Sequence, residues 1–349
     1  MEVMADLVVI DGSIGYGQVL RSAVSLSALT GTPIRITNIR QGRPKPGLMP
    51  QHLAGVKVAA DFCGAELRGA QYGSMQLDFV PGSLRVSDRR IDIGTAGSIG
   101  LLLQTVLPII LFADKPTTLE VTGGTAGLGA PTAEYIMNVT LPMLAKFGIE
   151  QPEMRIVRQG FYPRGGGIVS ISSKPAGILR HTMIERKGTI KAVRGISIAG
   201  GLPSDVAARQ ADAARDFLAK SGVETPASID SFSYDTLSQG TSITLFEQSD
   251  EGVLGSDAIG RRGLRAEEVG REAASSLLVS MRSGAALDRW MADQIIPFMA
   301  LAMGKSSVTV EKITDHCRTN MFVCEKMLGV KFLVEGGSIS CEGIGFRVQ

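Results

Sequence analysis

The residues best suited to chemistry are Lys312-Ile313-Thr314-Asp315-His316-Cys317-Arg318-Thr319-Asn320. Val308 to Ile313 alternates like a strand, and Cys317 to Leu328 carries Met321, Cys324, Glu325 and Leu328 at helical spacing. His316 is therefore expected where a strand hands over to a helix. Backbone N–H groups at a helix start favour negative charge and disfavour imidazolium. A histidine kept neutral beside an anion site can attack phosphorus. A lone histidine at such a place more often serves only as a polar helix start, so the other residues have to shift the balance.

The second informative stretch is basic. From Gly12 to Ala60 there is no Asp or Glu, while Arg21, Arg35, Arg40, Arg43, Lys45 and Lys57 fall inside it. A segment this one-sided points to an anionic ligand, phosphate or nucleic acid, although a solvated basic face is the plainer explanation. The net charge of +2 conceals this bias. Aromatic residues make up only 5% of the chain, which argues against extended stacking platforms for single strands.

Composition excludes several classes. With 44% hydrophobic and 20% charged residues the chain is globular, and 349 residues allow two domains. Cys63, Cys317, Cys324 and Cys341 form no C-x-x-C pair, so a structural zinc site is not expected, and sparse cysteines suit a reducing cytoplasm. The start, with Glu2 and Asp6, lacks the basic and apolar regions of a signal peptide. The most apolar run, Gly100 to Ala113, is too short to span a bilayer, so no membrane is expected.

The elements that must position these residues recur. Leu7–Ile10 reads as a strand, Gln18–Leu29 as a helix, Ile34–Ile39 as a strand, Gln51–Cys63 as a helix and Met75–Val80 as a strand. The order returns with helix 95–112, strand 117–121, helix 132–147 and strands 155–158 and 167–171. It returns again with helix 286–303, strand 307–313, the His316 helix and strands 331–334 and 338–341. The middle strands start near Ile34, Thr117 and Ser307, and the longer second spacing implies an insertion, placed at Glu185–Val279. The expected domains are a catalytic body of 1–184 with 280–349, and a small α/β insertion of 185–279. Each unit sets a loop after its middle strand, at 40–50, 122–131 and 314–319, and pseudo-symmetry would gather these loops in one cleft.

Taken together, these residues resemble the RNA 3′-terminal phosphate cyclase family. The matching stretches include Asp11-Gly12-Ser13-Ile14-Gly15, Gln18–Ala23, Arg40–Leu48, Gln51-His52-Leu53, Gly94–Ser98 and Leu103–Pro108. Gly160–Gly167, Ala292-Asp293-Gln294 and His316-Cys317-Arg318-Thr319-Asn320 extend the match in order across nearly the whole chain. The resemblance implies an α+β fold of three repeats, each with two helices on a four-stranded sheet, plus a small inserted α/β domain. It also implies ATP-dependent cyclisation of RNA 3′-phosphate ends. His316 would take AMP from ATP, AMP would pass to the RNA 3′-phosphate, and the 2′-hydroxyl would then displace it, leaving a 2′,3′-cyclic phosphate.

By the same resemblance, Arg21, Arg40, Arg43, Gln51 and His52 serve the phosphate or RNA end. Gln104, Pro131, Trp290, Asp293, Gln294 and Asn320 surround the nucleotide, with Asn320 orienting His316. Each has a plainer alternative. Arg21 could be a solvated helix residue, His52 a capping histidine and Trp290 core, while Gln104 and Gln294 could satisfy backbone groups. A divalent metal, Mg²⁺ or Mn²⁺, is implied on the ATP phosphates. The family glutamate of Gly-Glu-Gly-Gly-Gly-Gln is missing from Gly15-Tyr16-Gly17-Gln18, which leaves the metal ligands unknown and Asp11 as the nearest carboxylate. Competing functions are a non-catalytic or endonucleolytic cyclase-like protein of ribosome assembly and an enolpyruvyl-transferase-like enzyme. Neither gives His316 with Thr319-Asn320 a role.

Overall fold

The computed structural model describes residues 7–15 and 17–348. Tyr16 in the shortened glycine turn lies outside the described residues, as do Glu2 and Asp6.

The chain builds with a βαβαββ unit. β1 (Val8–Asp11) and β2 (Ile34–Thr37) are parallel and joined through α1 (Gly17–Thr30). α2 (Pro50–Cys63) then leads to β3 (Glu66–Arg68) and β4 (Leu77–Val80), in the sheet order β1-β2-β4-β3. Ile34 and Ile36 alternate inward with period two, as a sheet with one buried face requires. The second unit runs β5 (Arg89–Asp92), α3 (Ile99–Leu111), β6 (Thr117–Gly123), α4 (Ala133–Tyr135), a π-helical turn at Ile136–Thr140, α5 (Leu141–Ala145), β7 (Glu153–Arg158) and β8 (Gly167–Ser173). Its order, β5-β6-β8-β7, and its strand senses repeat those of the first sheet.

The third sheet is interrupted. After β9 (Met183–Ile184) the chain leaves to form β10 (Ile190–Gly200), α6 (Asp205–Lys220), β11 (Ala227–Tyr234), β12 (Gly240–Ser249), β13 (Val253–Ile259) and α7 (Ala266–Ser283). These strands form a separate sheet, β11-β10-β12-β13, over a core of Val193, Leu218, Ile243, Leu245 and Leu277. The chain then returns through α8 (Met291–Gln294), α9 (Ile296–Leu301), β14 (Met303–Thr309), α10 (Asp315–Leu328), β15 (Phe332–Glu335) and β16 (Ser338–Ile344). β9 pairs parallel with β14, so the insertion falls inside the third unit rather than between the second and third. Its entry and exit are joined where the Lys187 N–H donates to the Gly284 carbonyl (3.2 Å).

Local expectations fail at three places. The helix expected over 286–303 begins only at Met291, because Asp288 Oδ1 accepts from the Trp290 and Met291 N–H groups (2.9 and 3.0 Å) and caps it there. The strand expected over 307–313 ends at Thr309. Glu311 is drawn from the ladder by Arg289 Nε and Ser280 Oγ, which donate to its carboxylate (2.7 and 2.6 Å). β3, β5, β9 and β13 have no counterpart in the sequence reading; β13, Val-Leu-Gly-Ser-Asp-Ala-Ile, carries three residues of low strand propensity.

α1 is buried along almost its whole length and packs against α2, α3 and α10. It therefore carries Arg21 to the place where helices of all three units meet.

Candidate active site

His316 lies one residue inside α10, not in a strand–helix loop. Thr314 is the N-cap, and its Oγ1 accepts from the Cys317 N–H (3.2 Å). The His316 ring is half-buried and does not serve as the cap of this helix. Partial burial, then the cations Arg21 and Arg43, hold the His316 pKa below the usual histidine value, with Asp315 opposing. The imidazole is accordingly neutral at physiological pH.

The three loops do meet. Arg40, Arg43 and His52 from the first unit, Gly127–Ala130 from the second and His316 from the third line one cavity of about 1020 Å³. Gln51 is on its wall and fixes the start of α3, its Oε1 accepting from the Ser98 N–H (3.2 Å). A second cavity, about 400 Å³, shares Arg21, Arg43 and His316 with the first. It adds Gln104, Pro131, Trp290, Asp293 and Gln294. Trp290 is 44% exposed at its rim, so the core alternative for it does not hold. Gln104 leaves its buried Oε1 without a hydrogen bond, so it is not satisfying backbone. Gln294 is committed, donating to the Trp290 carbonyl and accepting from Thr140 Oγ1 (both 3.1 Å).

Close approach tightens this centre. A Cβ on Gly15 would come within 2.6 Å of Thr319 Cγ2, and one on Gly17 within 2.5 Å of His52 Nε2. Only glycine lets the first unit's turn lie against α10 and α2 at once.

Arg21 is buried rather than solvated; it bonds Gln18 Oε1 and leaves Nε unpartnered. Burial lowers its pKa to about 10, with Asp293 opposing, so it remains a cation at neutral pH. Burial in turn pushes the Asp293 carboxyl up to about 7 despite Arg21. His52 is the capping residue: its Nδ1 accepts from the Met49 N–H (3.2 Å). Burial, then Arg21 and Arg40, depress it to about 3, so it is neutral. Arg40 holds the basic loop together, donating from Nη1 to the Lys45 and Gly47 carbonyls (2.8 and 2.9 Å). Asn320 is fully buried and lines neither cavity. Its amide accepts from Ser22 Oγ (2.6 Å) and donates to the Asp293 carbonyl (2.7 Å), tying α1, α8 and α10 together.

Sequence reasoning placed no site residue in the insertion, yet Asp257, Ile259 and Arg261 wall the smaller cavity. Asp257 Oδ2 accepts from the Thr132 N–H (2.9 Å), and burial raises its pKa to about 6. Behind it Tyr135 donates to the fully buried Asp288 (2.7 Å). The Asp288 cap was the available sequence signal for a helix starting beside the site.

The donors do not build a metal cage. Among the described residues no group of three or more His, Cys, Asp or Glu side chains could hold an ion. Asp11, the expected substitute carboxylate, lines neither cavity; its Oδ1 accepts from the Ser13 N–H and Asn38 Nδ2 (2.9 and 3.1 Å).

The RNA 3′-terminal phosphate cyclase family profile matches residues 13–334. The RNA 3′-terminal phosphate cyclase of Pyrobaculum neutrophilum is 44% identical over 97% of this chain and 99% of its own. That of Pyrococcus furiosus is 43% identical over 95% and 96%, and that of Archaeoglobus fulgidus 44% over 95% and 99%. Among solved structures, the enolpyruvyl transferase NikO of Streptomyces tendae aligns with 98% of this chain and 49% of its own, at TM-score 0.41 and 10% identity, a likeness too slight to argue from. With the profile spanning most of the sequence and relatives aligning end to end, the chain belongs to the RNA 3′-terminal phosphate cyclase family.

Proposed function

We propose that this protein uses ATP to convert an RNA 3′-terminal phosphate to a 2′,3′-cyclic phosphate through a histidine–AMP intermediate. The observation that carries the reading is that His316, Arg21 and Arg43 belong to both cavities. A group that receives AMP on one side and hands it to an RNA end on the other needs that position.

The residues supply what each step requires. Neutral His316 attacks the α-phosphorus of ATP, and the bond to the β-phosphate oxygen breaks, releasing pyrophosphate. Arg21 and Arg43 stabilise the charge that gathers on the phosphoryl oxygens. An RNA 3′-phosphate oxygen then attacks the same phosphorus, and the P–N bond breaks to free the imidazole. The 2′-hydroxyl next attacks the RNA phosphorus, loses its proton and expels AMP. Gln104, Pro131, Trp290, Asp293 and Gln294 are assigned to nucleotide binding, the open Gln104 Oε1 suiting an amino donor of the base. Arg40, Arg43, Gln51 and His52 are assigned to the RNA end, with Arg40 and His52 acting by holding their loop and helix start. A divalent ion, Mg²⁺ or Mn²⁺, would be held mainly by phosphate oxygens and water, as Mg²⁺ commonly is.

We further propose that residues 185–279 form a separable unit that walls the nucleotide side. Reduced, buried cysteines suit a cytoplasmic setting, and among the described residues no helix is long and apolar enough to cross a membrane.

The test is to incubate the protein with ATP and an RNA bearing a 3′-phosphate. The end should become resistant to phosphatase, with AMP and pyrophosphate released in equal amounts. Ends that stay phosphatase-sensitive would overturn the reading, and internal cleavage of the RNA would favour the endonucleolytic alternative.

A further inference from the structure

Beside the catalytic cavity is a third space, about 1050 Å³, that belongs to the insertion. It opens at the start of β12, the end of β13 and the starts of α6 and α7. Five arginines line it: Arg209, Arg261, Arg262, Arg265 and Arg271. Arg209 is paired with Asp205 and Glu267, and Arg261 with Glu272. Among the described residues Arg262, Arg265 and Arg271 make no ion pair, and all three are exposed. The space adjoins the larger catalytic cavity, with Gln239, Gly240, Thr241, Gly260, Arg261 and Arg262 lining both.

We infer that this groove binds the phosphodiester backbone of the RNA upstream of its 3′ end. The inference rests on the proposed RNA-end activity. Three cations without carboxylate partners, along a trough that starts at the reacting end, match a repeating anion better than a single phosphate. Arginine also tolerates any base, because it contacts backbone oxygens. The terminus would lie near His316 and Arg43, and the preceding nucleotides would pass Arg262 to reach Arg265 and Arg271. The insertion is then a length reader: it adds affinity for RNA longer than the few nucleotides the catalytic cavity contains.

The test measures binding of single-stranded oligouridylates with 3′-phosphates, one a dinucleotide and one of about 20 nucleotides, long enough to exceed a typical single-strand site. The comparison is between the full-length protein and its R265S/R271Q variant, which leaves the residues of the two catalytic cavities untouched. Wild type should bind the longer RNA more tightly, and the variant should lose roughly tenfold for that RNA while dinucleotide binding stays unchanged. Two lost contacts should reduce the salt slope by about 1.4. R265K/R271K should restore the slope, and R271Q alone should lose part of it, which guards against a folding defect in the double variant. Equal affinity of wild type for both lengths, or a variant that still prefers the longer RNA, would overturn the inference. An equal loss for both lengths would place these arginines at the terminus and overturn it as well. Protein–AMP formation without RNA is read separately. If wild type forms none yet shows length-dependent binding, the catalytic reading fails while the groove stands.

Discussion

His52 and His316 occupy the first turns of corresponding helices, α2 in the first unit and α10 in the third. Both rings are near Arg21, and both titrate below the usual histidine value. They differ in what caps the helix. α10 has Thr314, whose hydroxyl takes a backbone N–H, so His316 is not needed for that task. α2 has Met49, which offers no capping oxygen, and His52 reaches back to the Met49 N–H instead. A ring committed through Nδ1 and buried positions a helix start, whereas a half-buried ring behind a capped turn can carry chemistry. A helix-start histidine therefore has to be read together with its N-cap.

The largest effect expected from this contrast is on self-adenylylation. His316→Ala should abolish protein–AMP formation, by at least about a thousandfold on the scale of a removed nucleophile. His52→Gln, which can still accept from the Met49 N–H, should leave it measurable, with a loss on the order of tenfold or less. Radiolabel transfer from ATP compares the two. Equal losses would erase the distinction between a positioning ring and a reacting ring.

A smaller effect sharpens the electrostatic side. The cation Arg43 helps to lower the His316 pKa. Removing it by Arg43→Gln should let that pKa rise toward the usual value, so the acid limb of the adenylylation rate moves to higher pH. A limb that stays in place or moves down would mean that a different group governs it.

The smallest effect is on stability, and its sign follows from protons bound. His52 has a folded pKa of about 3 against an ordinary 6.5, so below 6.5 the unfolded chain takes up a proton that the native ring refuses. Its contribution is whole above that pH and is lost as pH falls toward about 3, with a slope of at most ~1.4 kcal/mol per pH unit. Asp293, Glu134 and Asp257 are raised, so they bind protons in the native state and act in the opposite sense. The difference between wild type and His52→Gln in urea melts across this range isolates the histidine. Parallel curves would show that His52 is not held neutral.

Much of this was legible in the sequence because the repeated unit is local. Hydrophobic periodicity located α1, α2 and α10, and those helices carry Arg21, His52 and His316 to one place. The loops after the middle strands were likewise readable from their glycines, prolines and charges. What stayed hidden depends on contacts distant in the chain. Asp257 is carried by β13, which is stabilised by pairing with β12 and packing on Tyr135 and Val139 rather than by its own propensity. Asn320 is one turn from His316, and its amide is engaged by Ser22 and Asp293, which come from other helices. The family resemblance pointed to Asn320 without revealing that its amide was already engaged, and it pointed to nothing in the insertion.

The central claim is that His316 carries the AMP. The direct measurement is to incubate the wild-type protein with ATP, quench without acid, digest it and locate the adduct by tandem mass spectrometry. The account predicts an acid-labile AMP on the peptide containing His316, attached to the imidazole. AMP mapped to His52, to a lysine of the basic loop, or to no residue while RNA ends are still cyclised would contradict it.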